Sequence, residues 1–164
     1  ILFNAVAFAI VCGSGKSDDS STNNESLHKV GELVKTGKFE ITLTKFSERK
    51  SVGGQFFNQA ASEGAIFVTA LYQYKNISGE PIGSFSLPTK LTLVGPDGIK
   101  YEEDSGASSS FATEVKLDEK ILSDLNPGIT SKGAGVFEIS KESWAKPGWK
   151  ILIDADENVY YSIK

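Results

Sequence analysis

The sequence predicts an all-β, antiparallel sandwich, and three observations carry that prediction. Short segments with apolar residues at every second position recur along the chain, and Gly, Pro and Asn turns separate them. No internal repeat of about 20 to 50 residues is present, which removes solenoids and propellers from consideration. From Val30 onward about 135 residues remain, enough for one ordinary domain with a sizeable core.

In FEITLTKF at 39–46, Phe39, Ile41 and Leu43 alternate with Glu40, Thr42 and Thr44, the pattern of a strand with one buried and one wet face. In AIFVTALYQYKN at 65–76, Ile66, Val68, Ala70, Tyr72 and Tyr74 share one face, while Phe67, Thr69, Leu71 and Gln73 share the other. Both faces are largely apolar over its first half, so this strand is expected in the middle of a sheet. Leu91 to Val94 runs into Gly95-Pro96-Asp97-Gly98 and extended structure resumes at Ile99 to Tyr101. Proline presets the first turn dihedral and glycine permits positive φ, so this is a hairpin. Leu117, Ile121, Leu122 and Leu125 fit a short helical crossover between sheets. Asn126-Pro127-Gly128 and Pro147-Gly148 bracket a strand at GAGVFEI, 133–139. Trp149, Ile151 and Ile153 then alternate with Lys150 and Leu152, and VYYSI follows the turn DADEN.

KVGELVKTGKFEITLTKF at 29–46, VGGQFF at 52–57, YKNISGEPI at 74–82, LTLVGPDGIKYEED at 91–104 and LNPGITSKGAGVFEI at 125–139 carry a resemblance. Over residues 29–164 the chain resembles a bacterial family of extracytoplasmic domains of unknown function, related to the immunoprotective extracellular protein superfamily. The resemblance implies an immunoglobulin-like (telokin-like) sandwich outside the cytoplasm. It brings no catalytic residue with it.

The first dozen residues carry a single polar side chain, Asn4, before Cys12. That run is too short to span a bilayer as a helix but matches the hydrophobic region of an export signal. The chain has no methionine, so the true start with its basic region is expected to precede Ile1. Cys12 is the only cysteine, and it stands where the apolar run meets a polar stretch. This is similar to the lipobox of a bacterial lipoprotein, whose cysteine is the lipid-bearing residue, although Val11 and Ala9 depart from the small residue and leucine usual there. The competing reading is a buried free thiol. Residues 13–28, almost wholly small and polar, are expected to be a linker with a reach of roughly 20 Å. VCGSGKS at 11–17 also ends like a phosphate-binding loop. The glycine such a loop needs five positions earlier is Ile10, and Asp18 and Asp19 follow where a helix N-terminus should face an anion, so no nucleotide is expected.

With 17 basic against 21 acidic residues and a net charge of −4, and no Lys/Arg cluster, nucleic-acid binding is not expected. One cysteine excludes an internal disulfide. His28, the sole histidine, lies at the linker boundary and is expected to be solvated, so no Ser/His/Asp triad is available within the domain. Glu102-Glu103-Asp104 reads as a solvated acidic loop. Asp154-x-Asp156-x-Asn158 copies the first half of a calcium loop, yet Val159 replaces the glycine at its sixth position and the chain ends before the twelfth, so an ordinary polar turn is expected. No cofactor is expected. The stretch 47–64 reads as the longest connection between strands and carries adjacent aromatics, Phe56 and Phe57. In the favoured reading one ring caps the open end of the core, because buried phenylalanine is commoner than displayed phenylalanine. In the alternative a ring stays exposed as an anchor for a partner. These expectations combine into an exported, lipid-anchored or secreted binding module without catalytic activity. The alternatives are an accessory subunit of an envelope complex and an enzyme with an unrecognised site.

Overall fold

The computed structural model describes residues 26–117 and 123–164. Along the chain run β1 (Leu27–Lys29), β2 (Leu33–Lys35), β3 (Phe39–Arg49), β4 (Ser51–Val52), β5 (Gln59–Ala60), β6 (Ala65–Asn76), β7 (Lys90–Val94), β8 (Lys100–Tyr101), α1 (Ser105–Glu114), β9 (Thr130–Ser140), α2 (Lys141–Trp144), β10 (Lys150–Asp154) and β11 (Val159–Ser162). One sheet has the order β1-β11-β10-β7-β8 and the other β2-β3-β6-β9. The expected all-β sandwich is thus the architecture. Among the described residues only β1 pairs in parallel, with Leu27 opposite Tyr160, so Leu27 and His28 belong to the sheet and not to the end of the linker. Among the described residues no helix is long and apolar enough to cross a membrane.

The core lies between the sheets. Phe39, Ile41, Leu43, Val68, Leu93, Phe137, Ile151, Ile153 and Tyr161 are fully enclosed there, which confirms the alternation read from β3, β6 and β10. β3 holds its pattern only as far as Leu43. Between Leu43 and Lys45 the register shifts, so Thr44 is an extra residue in a bulge and its hydroxyl donates to Leu71 O at 2.9 Å. Strict alternation would have turned Lys45 inward; the bulge turns Phe46 to the core instead. Glu48 follows on the same face and accepts from the indole Nε1 of Trp144 at 2.6 Å.

Inner-face space is shared across strands. Gly133 faces Tyr72, and a Cβ there would overlap the tyrosine ring. A Cβ at Gly135 would meet Leu91 and the Glu103 carboxylate. Tyr161 spans the sandwich, its hydroxyl donating to Ile41 O at 2.9 Å with Glu32 O at 3.1 Å. Burial pushes that hydroxyl up to about 12, so it remains a donor at any physiological pH.

The outer face of β6 has its own cover. Phe67 and Val136 pack with Val52 and with Ala107 and Phe111 of α1, and burying each phenylalanine is worth about 1.5–3 kcal/mol. This helix, SGASSSFATE, was not expected from the sequence. Residues 118–122, inside the segment read as a crossover, lie outside the described residues, and Leu125 forms an isolated bridge with Ile82. The acidic triplet before α1 is not a solvated loop. Asp104 caps the helix by accepting from Ala107 N at 2.8 Å, and its own N–H donates to Val136 O. Ser108 Oγ accepts from Val136 N at 2.9 Å. Glu103 reaches inward, accepting from Leu91 N at 2.8 Å and from Ser108 Oγ at 3.4 Å.

Burial raises the Glu103 carboxyl above its ordinary value of 4.5, outweighing the bonds from Leu91 and Ser108 that pull it down. The folded state therefore favours the protonated acid. Its contribution to stability is full below about 4.5 and is lost as pH rises through the raised folded value. Urea unfolding of the parent and Glu103→Gln from pH 4 to 8 should show the variant gaining relative stability as pH rises, because glutamine stays neutral and keeps an acceptor for Leu91. A difference between the two proteins that does not change with pH would refute this account.

Candidate functional site

The connection from β3 to β6, read in the sequence as one long link between strands, contains strands of its own. β4 and β5 pair within it, Ser51 opposite Ala60 and Val52 opposite Gln59, so 53–58 is the tip of a small hairpin. Gly53 adopts φ +97°, and a Cβ there would overlap the carbonyl oxygen of Phe57; only glycine lets the tip fold this tightly. Phe57 N donates to Gly54 O at 3.3 Å. At the base Val52 is buried against α1.

The last residue of α1 clamps this hairpin. Glu114 accepts from Gly53 N at 2.8 Å through one oxygen and pairs with Arg49 Nη1 at 2.7 Å through the other. The guanidinium lies 5.6 Å above the Phe111 ring, so the ion pair rests on the hydrophobic layer it borders. Above this support Phe56 is 89 % exposed and Phe57 69 %. Neither ring caps the core, and the favoured core-capping reading is corrected: the enclosed side chain of the hairpin is Val52, and it packs beneath α1 on the outer face of β6 and not at the open end of the core. Arg49 and Glu114, missed in the sequence, are 65 residues apart, and no local pattern links them.

The remaining sequence candidates lie elsewhere. Cys12 lies outside the described residues. Asp154, Asp156 and Asn158 are exposed at the β10–β11 turn, and among the described residues no three His, Cys, Asp or Glu side chains form a metal-binding group. Asp156 accepts from Thr36 Oγ1 at 2.6 Å, closing the turn of one sheet on that of the other. His28 is half-buried, its Nδ1 2.8 Å from Glu32 Oε1 and its ring beside Tyr161. Asn76, the last residue of β6, is fully buried and spends its amide hydrogens on Leu125 O and Glu80 O.

The family description that matches residues 28–147 is Domain of unknown function (DUF4352). The chain belongs to the DUF4352 family. The chain is also similar to the Uncharacterized protein YxkC of Bacillus subtilis (strain 168), 46 % identical over 138 residues, which are 84 % of this chain and 76 % of that one. Among solved structures, a conserved hypothetical protein from Bacillus anthracis superimposes with a TM-score of 0.72 at 26 % identity, covering 81 % of this chain and 94 % of its own. An uncharacterized beta-sandwich protein from Clostridium difficile 630 matches with a TM-score of 0.55 at 16 % identity over 85 % and 96 % of the two chains, a likeness of fold alone. The DUF4352 match begins at His28, within β1, and runs through the clamped hairpin to the turn before β10.

Phe56→Ala and Phe57→Ala should each change unfolding free energy by about 0.5 kcal/mol or less, because neither ring is enclosed. Glu114→Ala should cost about 1–2 kcal/mol, since it strands the Gly53 N–H and the Arg49 guanidinium together. Equilibrium denaturation of the three variants checks this, and a large loss in either phenylalanine variant would restore the core-capping reading.

Proposed function

We propose that this DUF4352 domain is a non-catalytic binding module of telokin-like, immunoglobulin-related type, exported and held to a membrane through a lipid on Cys12, with the Phe56–Phe57 tip docking a protein partner. The observation that carries the reading is the support beneath that tip. Two exposed aromatics are costly to display on a monomer, and here the Gly53 turn and the Glu114–Arg49 clamp hold the backbone of the hairpin that bears them. Rigid aromatics lose little entropy on docking and are enriched at interface hot spots. The buried acid of the fold also supports a non-catalytic reading, because both oxygens of Glu103 are engaged in joining β7 to α1. A groove of about 300 Å³ on the outer face, lined by Thr44, Leu71, Val115, Leu117 and Lys132, offers one charged side chain above an apolar floor, whereas acid–base chemistry needs converging groups. An accessory subunit of an envelope complex would use the same tip, covered permanently.

Two measurements test the two halves. The full chain produced with its native leader in a bacterial host should take up labelled palmitate and partition into detergent, and Cys12→Ser should abolish both; unchanged partitioning would refute the anchor. Benzoylphenylalanine placed at position 56 should give a discrete photo-adduct that Phe57→Asp removes. Adducts no different from those of a probe at Lys150 would refute docking at the tip.

A further inference from the structure

The end of the sandwich opposite the hairpin carries a second set of exposed apolar side chains. The pairing registers define the two ends. Arg49 of β3, Ala65 of β6 and Ser140 of β9 share one end, and Phe39, Asn76 and Thr130 share the other. The sheets are joined at both: Trp144 meets Trp149 at 5.2 Å between ring centres on the hairpin side, and Thr36 meets Asp156 on the other. Because β1 runs parallel to β11 from Leu27 opposite Tyr160, the chain enters the domain at the Asp156 end. The connection from Asn76 to Lys90 begins and finishes at this same end. It displays Phe85 on a 3-10 turn with its side chain fully exposed (102 %), together with Ile77 at 39 %, and Ile129 before β9 stands 48 % exposed.

We infer that this end, through Phe85, Ile77 and Ile129, rests on the lipid surface to which the chain is tethered. The inference rests on the anchor at Cys12 proposed above. The occupant follows from where the chain outside the described residues joins the domain: it enters through Ser26 and β1 at the end that bears these side chains. A short polar linker holds its domain at millimolar effective concentration beside the anchor, so even a contact of millimolar affinity is populated. Phenylalanine and isoleucine on loop tips enter the boundary between headgroups and acyl chains by burying apolar area. Glu40, Glu80, Asp124, Asp154, Asp156 and Glu157 share this end with Lys35, Lys38, Lys75 and Lys90, so no excess of positive charge draws it to anionic lipid and the contact is apolar. A second acyl-chain-like contact adds little to firm anchoring; what it supplies is orientation. β6, with 12 residues at about 3.3 Å each, would then hold the Phe56–Phe57 tip roughly 40 Å from the lipid.

The test makes the tether chemically, so that it does not depend on natural lipidation. Cys12 is the only cysteine, and the chain from Cys12 to Lys164 retains every described core residue, so it can be coupled to maleimide headgroups in phosphatidylcholine vesicles with brominated acyl chains. Phe85→Trp should lose emission on coupling, whereas Phe56→Trp at the far end should not. Trp144 and Trp149 are enclosed and supply a constant background, measured in the coupled parent. Phe85→Trp emission equal to that of Phe56→Trp, whether both are quenched or neither, would overturn the inference. Failure of palmitate labelling alone would count against the anchor and leave this result standing as a property of the surface.

Discussion

A strand that is apolar on both faces needs two covers, and β6 imposes that demand on the rest of the molecule. Its inner residues, Val68, Ala70 and Tyr72 among them, are enclosed by the facing sheet. Its outer face, led by Phe67, is enclosed by α1 and Val52. Without the helix the second face would lie open as a hydrophobic patch. With it, α1 has to be held at a set height on the edge of β9, which the backbone of Val136 accomplishes by exchanging bonds with Asp104 and Ser108. The position of Glu114 follows from that docking, and the hairpin pose follows from Glu114. The exposed aromatic pair is therefore a remote consequence of how β6 is buried.

The same demand explains where the chain departs from regular pleating. The bulge at Thr44 restores Phe46 to the core side after Leu43 and leaves Lys45 outside, which a regular strand would have reversed. Close packing admits few voids, so a large ring on one strand needs a missing side chain on its neighbour. Tyr72 has Gly133, and the Glu103 carboxylate with Leu91 has Gly135. Burying an acid at that place costs desolvation, and its two donors only partly offset it, which is why Glu103 titrates high. In return it bonds β7 to α1, across the gap that separates the two sheets.

The strands were legible because their signal is local. Period-two alternation survives in 39–43, 65–76 and 149–153 whatever the rest of the chain does, and glycine and proline mark Gly95–Gly98 unambiguously. The double-sided pattern of β6 correctly placed it inside a sheet. What that pattern did not reveal was the nature of the second cover, since SGASSSFATE is poor in strong helix formers and its buried set, Ala107, Ser110, Phe111 and Ala112, includes one large apolar residue. There the cap at Asp104 and the contact with β9 override a weak propensity. Phe56 and Phe57 were located, but their exposure depends on Gly53 and on an ion pair between distant residues, and composition carries no trace of either.

The parallel pairing of β1 settles a point that the antiparallel remainder of the fold leaves open. An antiparallel β1 on the same edge of β11 would have brought the chain in beside the β4–β5 hairpin, so that any tether and any anchored surface would crowd the aromatic tip. Parallel pairing puts the entry beside the Thr36–Asp156 contact instead, a full strand length away. Only three residue pairs define that choice, but they are reinforced: the ring of His28 lies against Tyr161, and Glu32 accepts from both His28 and the Lys29 backbone. Tyr161 is also the residue that bonds across the sandwich to Ile41. The direction in which the chain enters is thus tied to the same side chain that closes the two sheets on each other, and a molecule with its aromatic pair at one end and its chain entry at the other is the form this packing takes.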